Sequence, residues 1–308
     1  NYSMKKKFEL ANLSKNLLYC VCFSICALNL TACDDDDENG TQGNGPAPIG
    51  IPSSVVDGVR ATSMSGVDVT YNEDGTIKEA EVDGNTLVFN YASSRAIKVD
   101  PIRSLISITS SERESERWIA SDFAFNTSGF VTAYKLKYTD TDFREEMNIA
   151  YTFNYNADGQ MQKISMKTDG KDDEGSYSES GEINYTYNNK VLEKIEAKSK
   201  NVTCSQTYEY TQAIKNTYNA MPLLLLPEEL ASDDCVFNVF AITGYLGNAG
   251  ANLPTAMTIK NTDLEEPSEN STERYNLSYT LNENKAISSY TLSGYGETMT
   301  FPCDWTNF

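Results

Sequence analysis

The sequence predicts a mainly β fold: a curved antiparallel meander, half-pipe or barrel-like, with one short helical insertion near residues 232–247. Three observations lead there. A turn phrase built on Asn, often with Gly three residues later, recurs at irregular intervals. The residues flanking each copy alternate between apolar and polar with period two, which marks hairpin strands. Roughly a dozen such strands can be counted, and strongly twisted sheets of that size curl or close.

The chain begins with a different signal. Lys5, Lys6 and Lys7 follow Met4, residues 17–30 are mostly apolar, and Leu30-Thr31-Ala32-Cys33 opens onto Asp34-Asp35-Asp36-Asp37-Glu38. Residues 1–3 read as an upstream extension. A helix over residues 17–30 would span only about 21 Å, short of the roughly 30 Å hydrocarbon core. Residues 1–32 therefore read as a cleavable signal ending in a lipobox, with Cys33 as the lipid anchor of the mature chain. This N-terminus resembles those of bacterial lipoproteins, which carry a diacylglyceryl group and usually a further acyl chain. Stable anchoring takes two such chains.

Residues 33–52 read as a tether. Five adjacent carboxylates repel and stay hydrated, and Gly40, Gly43, Gly45, Pro46 and Pro48 mix flexible and stiff steps. The acidic run also resembles the export signal of Bacteroidetes lipoproteins displayed on the cell surface. The resemblance implies an outer-membrane address with the body facing outward.

Residues 53–308 read as one β-rich domain, roughly 255 residues with no linker-like interruption. The Asn phrase appears at Tyr71-Asn72-Glu73-Asp74-Gly75, Phe125-Asn126-Thr127-Ser128-Gly129 and Tyr155-Asn156-Ala157-Asp158-Gly159. Looser copies stand at Asn188-Asn189-Lys190 and Asn282-Glu283-Asn284-Lys285. Asn can bond the backbone ahead of it and start the turn, while Gly takes the positive φ that ends it. Tyr151, Phe153 and Tyr155 then share one strand face, as do Ile183, Tyr185 and Tyr187.

One segment departs from this pattern. Residues 221–230 hold four consecutive leucines between Pro222 and Pro227. Ser232-Asp233-Asp234 then offers an N-cap, and Val236, Phe237, Val239, Phe240 and Ile242 continue apolar until Gly244 or Gly247 ends the helix. This reads as a buried helix filling the open side of the curved sheet, with an exposed docking face as the rival.

Charge and composition exclude much. The chain carries a formal charge of −19, and removing four lysines and one glutamate with residues 1–32 leaves about −22. Such a surface opposes nucleic acid, which needs clustered Lys and Arg. There is no His, so Ser-His-Asp, Cys-His and His-based zinc chemistries are out. No phosphate-binding glycine loop is present, and no cofactor or metal site is expected. Cys20, Cys22 and Cys26 leave with the signal; Cys204, Cys235 and Cys303 remain, either as buried thiols or as one disulfide with a spare.

Two chemistries stay open. Glycoside hydrolysis needs only two carboxylates, and Asp68, Glu79, Glu145, Glu146, Glu182, Glu193 and Glu209 lie in or near expected strands. The loop Asp169-Gly170-Lys171-Asp172-Asp173-Glu174-Gly175 has oxygen ligands for Ca²⁺ but not the alternating spacing of an EF-hand, so it reads as a hydrated loop. Tyr134, Tyr138, Tyr185 and Tyr187, with Trp118 and Trp305, could stack on sugar rings or pack in the core.

The Asn-turn hairpins, together with Gly244-Tyr245-Leu246-Gly247-Asn248-Ala249-Gly250-Ala251-Asn252-Leu253-Pro254-Thr255, resemble a family of Bacteroidetes lipoproteins of unknown function assigned a porin-like fold. The resemblance covers most of residues 55–308, implies the fold and the address, and brings no catalytic residues. The expected function is a non-enzymatic, membrane-tethered binding or interaction module for a glycan or an envelope or host protein. A carboxylate-based glycoside hydrolase and a structural part of an outer-membrane assembly are the alternatives.

Overall fold

The computed structural model describes residues 51–82, 85–91, 102–104, 106–109, 116–140, 145–171, 175–198, 202–221, 235–263, 268 and 270–307. Cys33 and the tether lie outside them, as do the Leu-rich stretch from 222 and the expected N-cap at 232–234. The first strands are β1 (Val59–Met64), β2 (Val67–Tyr71), β3 (Ile77–Val82), β4 (Asn85–Tyr91), β5 (Ile102–Ser104), β6 (Ile106–Thr109) and β7 (Glu116–Phe125). Next come β8 (Val131–Asp140), β9 (Glu145–Tyr155), β10 (Met161–Lys171), β11 (Ser176–Asn188), β12 (Val191–Lys198) and β13 (Val202–Glu209). The short β14 (Ile214–Lys215), helix α1 (Cys235–Ile242) and β15 (Asn252–Leu253) interrupt the series. It ends with β16 (Ala256–Asp263), β17 (Ser271–Leu281), β18 (Ile287–Gly294) and β19 (Glu297–Asn307).

Sequence neighbours pair antiparallel almost throughout, as consecutive hairpins require. Three pairings skip over intervening elements: β4 with β6, β5 with β7, and β13 with β16. β19 then comes back to pair with β1, from Val59 opposite Asn307 to Met64 opposite Cys303. The result is a barrel-like wall, thinnest between β1 and β2 and between β6 and β7, where two residue pairs bridge in each case.

The Asn phrase does what its chemistry predicts. At Asn72, Asn126, Asn156 and Asn282 the backbone N–H donates to the carbonyl four residues on, at 2.8–2.9 Å. The Asn carbonyl accepts from the residue three ahead, which is Gly75, Gly129, Gly159 or Lys285, with φ between +67° and +81°. This is a type I turn closed by a left-handed residue, with the register shift of a bulge beside it. In the last three copies the Asn side chain also accepts two backbone N–H bonds, all at 2.9–3.0 Å. Asn189 and Lys190 instead form a two-residue hairpin with φ of 49° and 66°.

Because alternate connections fall at the same end, these turns gather at one rim of the wall. The segment between β13 and β16 docks there. Asn248 N–H donates to the Gly159 carbonyl at 2.8 Å, and Ala251 N–H to that of Lys190 at 3.0 Å. The N-terminal segment joins them, with Ser53 N–H donating to the Ser128 carbonyl at 2.9 Å.

Helix α1 fills the space behind that rim, with every residue from Val236 to Ile242 buried. Gly244 ends it at φ +87°, and Tyr245 N–H returns to the Phe240 carbonyl at 3.0 Å, the six-to-one bond of a Schellman cap. Phe240 meets Phe123 and Tyr245 edge-on or tilted at 5.6 and 5.5 Å, and Phe237 stacks on Phe153 at 6.2 Å. The helix is therefore the core of the wall, and it ends at Ile242 rather than at the expected 247.

Candidate binding site

Along the long strands one face is apolar and inward while the other is polar and outward. On β9, Tyr151 and Phe153 are buried and Thr152 and Asn154 exposed; on β10, Ile164 is buried while Lys167 and Asp169 are exposed. The outer face carries ion pairs, among them Lys137–Glu146 at 2.7 Å, Lys163–Glu182 at 2.5 Å and Lys167–Asp169 at 3.1 Å. A transmembrane barrel has the opposite polarity, and each lipid-facing Lys or Arg costs it about 2–4 kcal/mol at mid-depth. Among the described residues the exposed large apolar side chains are Ile51, Val56, Val88, Leu281 and Tyr295, which form no band. This wall faces water outside and packs a helix inside.

That polarity decides the fate of the aromatic residues. Tyr134 is buried among Phe123, Tyr151 and Phe153, with ring centroids at 5.5, 4.7 and 5.6 Å. Tyr138 lies against Trp118 at 4.3 Å, and half-buried Tyr185 and Tyr187 pack on the core from inside. Burial raises the Tyr187 phenol well above its ordinary range. Trp305 donates its indole N–H to the Ile287 carbonyl at 2.7 Å. These rings hold the wall to its contents and do not form an outer platform.

Several of the candidate carboxylates have partners of their own. Glu193 accepts from Asn188 at 2.8 Å, and Glu209 takes both terminal nitrogens of Arg274. Hydrogen bonds from Lys137 and from Arg274 hold Glu146 and Glu209 below the usual carboxylate range. A general acid at neutral pH needs the opposite shift. Asp68 is exposed, Glu79 half-buried, and the Glu145 side chain lies outside the described residues. Asp169 is engaged by Ser178 and Lys167, while residues 172–174 of its loop are outside the description.

No disulfide joins Cys204, Cys235 and Cys303, which resolves the alternative left open by their spacing. Cys204 and Cys303 are buried. Burial, with the nearby Asp304 charge adding to it, pushes the Cys303 thiol up to about 12.

One residue that sequence reasoning passed over carries the most unusual chemistry. Arg60, in β1, is 2% exposed. One terminal nitrogen, Nη1, donates to the Gly75 carbonyl, and the guanidinium carbon sits 5.3 Å from the centre of the Tyr71 ring. Its Nε and Nη2 make no hydrogen bond of ordinary geometry, but the guanidinium lies close enough to the Tyr245 hydroxyl to offset part of the upward shift that burial gives that phenol. Arg60 lines a small hollow, with room for about one water molecule, together with Ser54, Tyr218, Asn219, Thr243 and Trp305. Three of the other polar side chains there are committed to backbone carbonyls: Ser54 to Gly244 at 2.5 Å, Thr243 to Val239 at 2.6 Å and Asn219 to Gly247 at 3.0 Å.

Among solved structures, the chain is similar to a porin-like protein from Bacteroides vulgatus ATCC 8482, with a TM-score of 0.50 and 13% identity over 82% of this chain and 98% of that one. It is also similar to a porin-like protein from Bacteroides uniformis ATCC 8492, with a TM-score of 0.44 and 17% identity over 81% and 94%. At such identity the first likeness speaks to fold alone. No protein-family model matches the sequence, and neither does any curated protein.

Proposed function

We propose that this chain is an outer-membrane lipoprotein, held by acyl chains at Cys33 and displayed outward, whose β body is a non-catalytic binding or interaction module. The ligand class is a glycan or an envelope or host protein. The observation that carries this reading is the polarity of the wall. The three lysines of these outer ion pairs alone would cost roughly 6–12 kcal/mol in lipid, comparable to a typical domain's whole stability. The body therefore belongs in water, and attachment falls to the lipobox cysteine. The porin-like likeness agrees with an envelope setting without carrying it.

The test uses the mature chain with Cys33→Ser, screened on a glycan array and against immobilised envelope extract. Saturable, competable binding to one class supports the module. Blank results in both screens, with the protein folded, would remove it in favour of a purely structural role.

A further inference from the structure

We infer that Tyr295, at the rim opposite the Asn turns, is the stacking platform of a site for a neutral pyranose ring. This deepens the module reading by naming one ligand class and one place, and it rests on that reading.

The tyrosine is out of keeping with its position. Tyr295 and Gly296 form the two-residue turn between β18 and β19, with φ of +53° and +79°. Positive φ at both residues is the geometry that favours Asn-Gly. The turn between β1 and β2 repeats it, at +59° and +82°, and fills it with Ser65 and Gly66. Among the described residues eight non-glycine positions have positive φ, and Tyr295 is the one aromatic there. A bulky side chain is strained in this region. It is also 68% exposed, whereas no other large apolar side chain among the described residues exceeds 44%. Turn chemistry and burial both favour a different residue, so folding does not account for this one.

The exposed ring is nevertheless held in place. Its hydroxyl donates to the Thr272 carbonyl at 2.7 Å, and its centroid lies 6.0 Å from that of Tyr275, with the planes inclined at 56°. Tyr275 fits because residue 294 is glycine: a Cβ there would lie 2.7 Å from the Tyr275 ring. The Tyr275 hydroxyl in turn donates to the Glu273 carboxylate. An ordered aromatic face thus stands beside a carboxylate with lone pairs to spare.

That combination matches a sugar. The C–H face of a pyranose lies flat on an aromatic ring while its hydroxyls donate to a carboxylate. Because the ring is already fixed, little side-chain entropy is lost on binding. A quaternary ammonium group would need rings set apart to enclose it, and these two touch. Charge narrows the class further: Glu273 and the strongly negative mature chain repel uronic acids and favour neutral sugars. The placement suits capture as well. Ser53 ties the N-terminal segment to the Asn-turn rim, so Tyr295 stands at the end away from the tether.

The experiment uses the whole mature chain with Cys33→Ser. Maltohexaose and cellohexaose are the neutral probes, hexagalacturonate the acidic one and tetramethylammonium the cationic one. Each is titrated to about 10 mM, which reaches millimolar dissociation constants, while the ring resonances of Tyr295 and Tyr275 are followed by NMR. Saturable movement of the Tyr295 ring with a neutral hexaose is expected, with hexagalacturonate at least about tenfold weaker. Y295N installs the residue this turn prefers, so the chain should keep its thermal midpoint within about 2 °C while binding falls about tenfold.

A Tyr295 ring unmoved by both neutral hexaoses overturns the inference, and so does movement with tetramethylammonium alone. Undiminished sugar binding by Y295N overturns it too. Sugar binding with Tyr295 unmoved leaves the module reading standing, since the ligand then sits elsewhere. With no sugar bound at all, the envelope-extract screen decides that reading by itself.

Discussion

Replacing Phe240 by Ala should remove the keystone of the interior. Its ring is 1% exposed and meets Phe89 on β4, Phe123 and Phe125 on β7, Tyr134 on β8 and Tyr245 beyond the helix, at centroid distances from 5.5 to 6.5 Å. Truncating a buried Phe costs about 3–5 kcal/mol, the upper end applying where the site cannot collapse. A hydrogen-bonded wall around the helix resists collapse, so about 4–5 kcal/mol is expected. For a body of this size each kcal/mol moves the midpoint by about 2–4 °C, giving a fall of roughly 8–20 °C. Urea and thermal unfolding followed by far-UV circular dichroism measure it. Leu281→Ala serves as control, since Leu281 is 37% exposed and should change stability by less than about 0.5 kcal/mol. A loss below about 1 kcal/mol for F240A would refute the view that α1 fills the wall.

The turns make a paired prediction. Gly159 has φ +72°, and a Cβ there would lie 2.8 Å from the Phe130 ring and 3.0 Å from the Asn248 amide, so G159A should destabilise by about 2 kcal/mol or more. Lys285 occupies the same turn position at φ +67°, and K285G should stabilise by up to about 1 kcal/mol; chemical denaturation that ranks the two the other way would contradict the shared turn geometry. Alkylation at pH 8 should label Cys235 first, because it is half-buried, while Cys204 and Cys303 react only after unfolding. The raised Cys303 value means that its contribution to stability is complete below the unfolded thiol value near 8.5 and is lost as pH climbs from there toward about 12. A Cys303→Ala chain should show a shallower decline over that window, and an unchanged slope would assign the decline elsewhere.

The hairpins were legible because their cause is local. An Asn that captures the backbone ahead of it and a residue able to take positive φ suffice, whatever lies elsewhere in the chain. Strands such as β17 and β18 were harder to count. Their outer faces are lined by Ser278, Thr280, Ser289 and Thr291, and inward Glu273 breaks the apolar alternation. The return of β19 to β1 left no local mark, since Val59 and Asn307 meet only in the folded state. The tyrosines were ambiguous because a period-two pattern fixes which residues share a face but not which face is inside.

Arg60 was hidden for a different reason. A charged residue in a strand reads as outward. Here the register slips between Ala61 and Ser63, and both Arg60 and Ala61 end up buried. The cover is the segment that precedes β1, where Ile51 lies against Gly75 and Ser54 bonds to Gly244. Neither contact can be read from spacing in the sequence.

The central claim is that a water-facing body is held at the envelope only by acyl chains at Cys33. Fractionation of cells exporting the full chain with Cys33→Ser tests it most directly. The account predicts a protein recovered in the soluble fraction without detergent, with circular dichroism matching the detergent-extracted wild type. Retention of the C33S chain in washed membranes, released only by detergent, would contradict it.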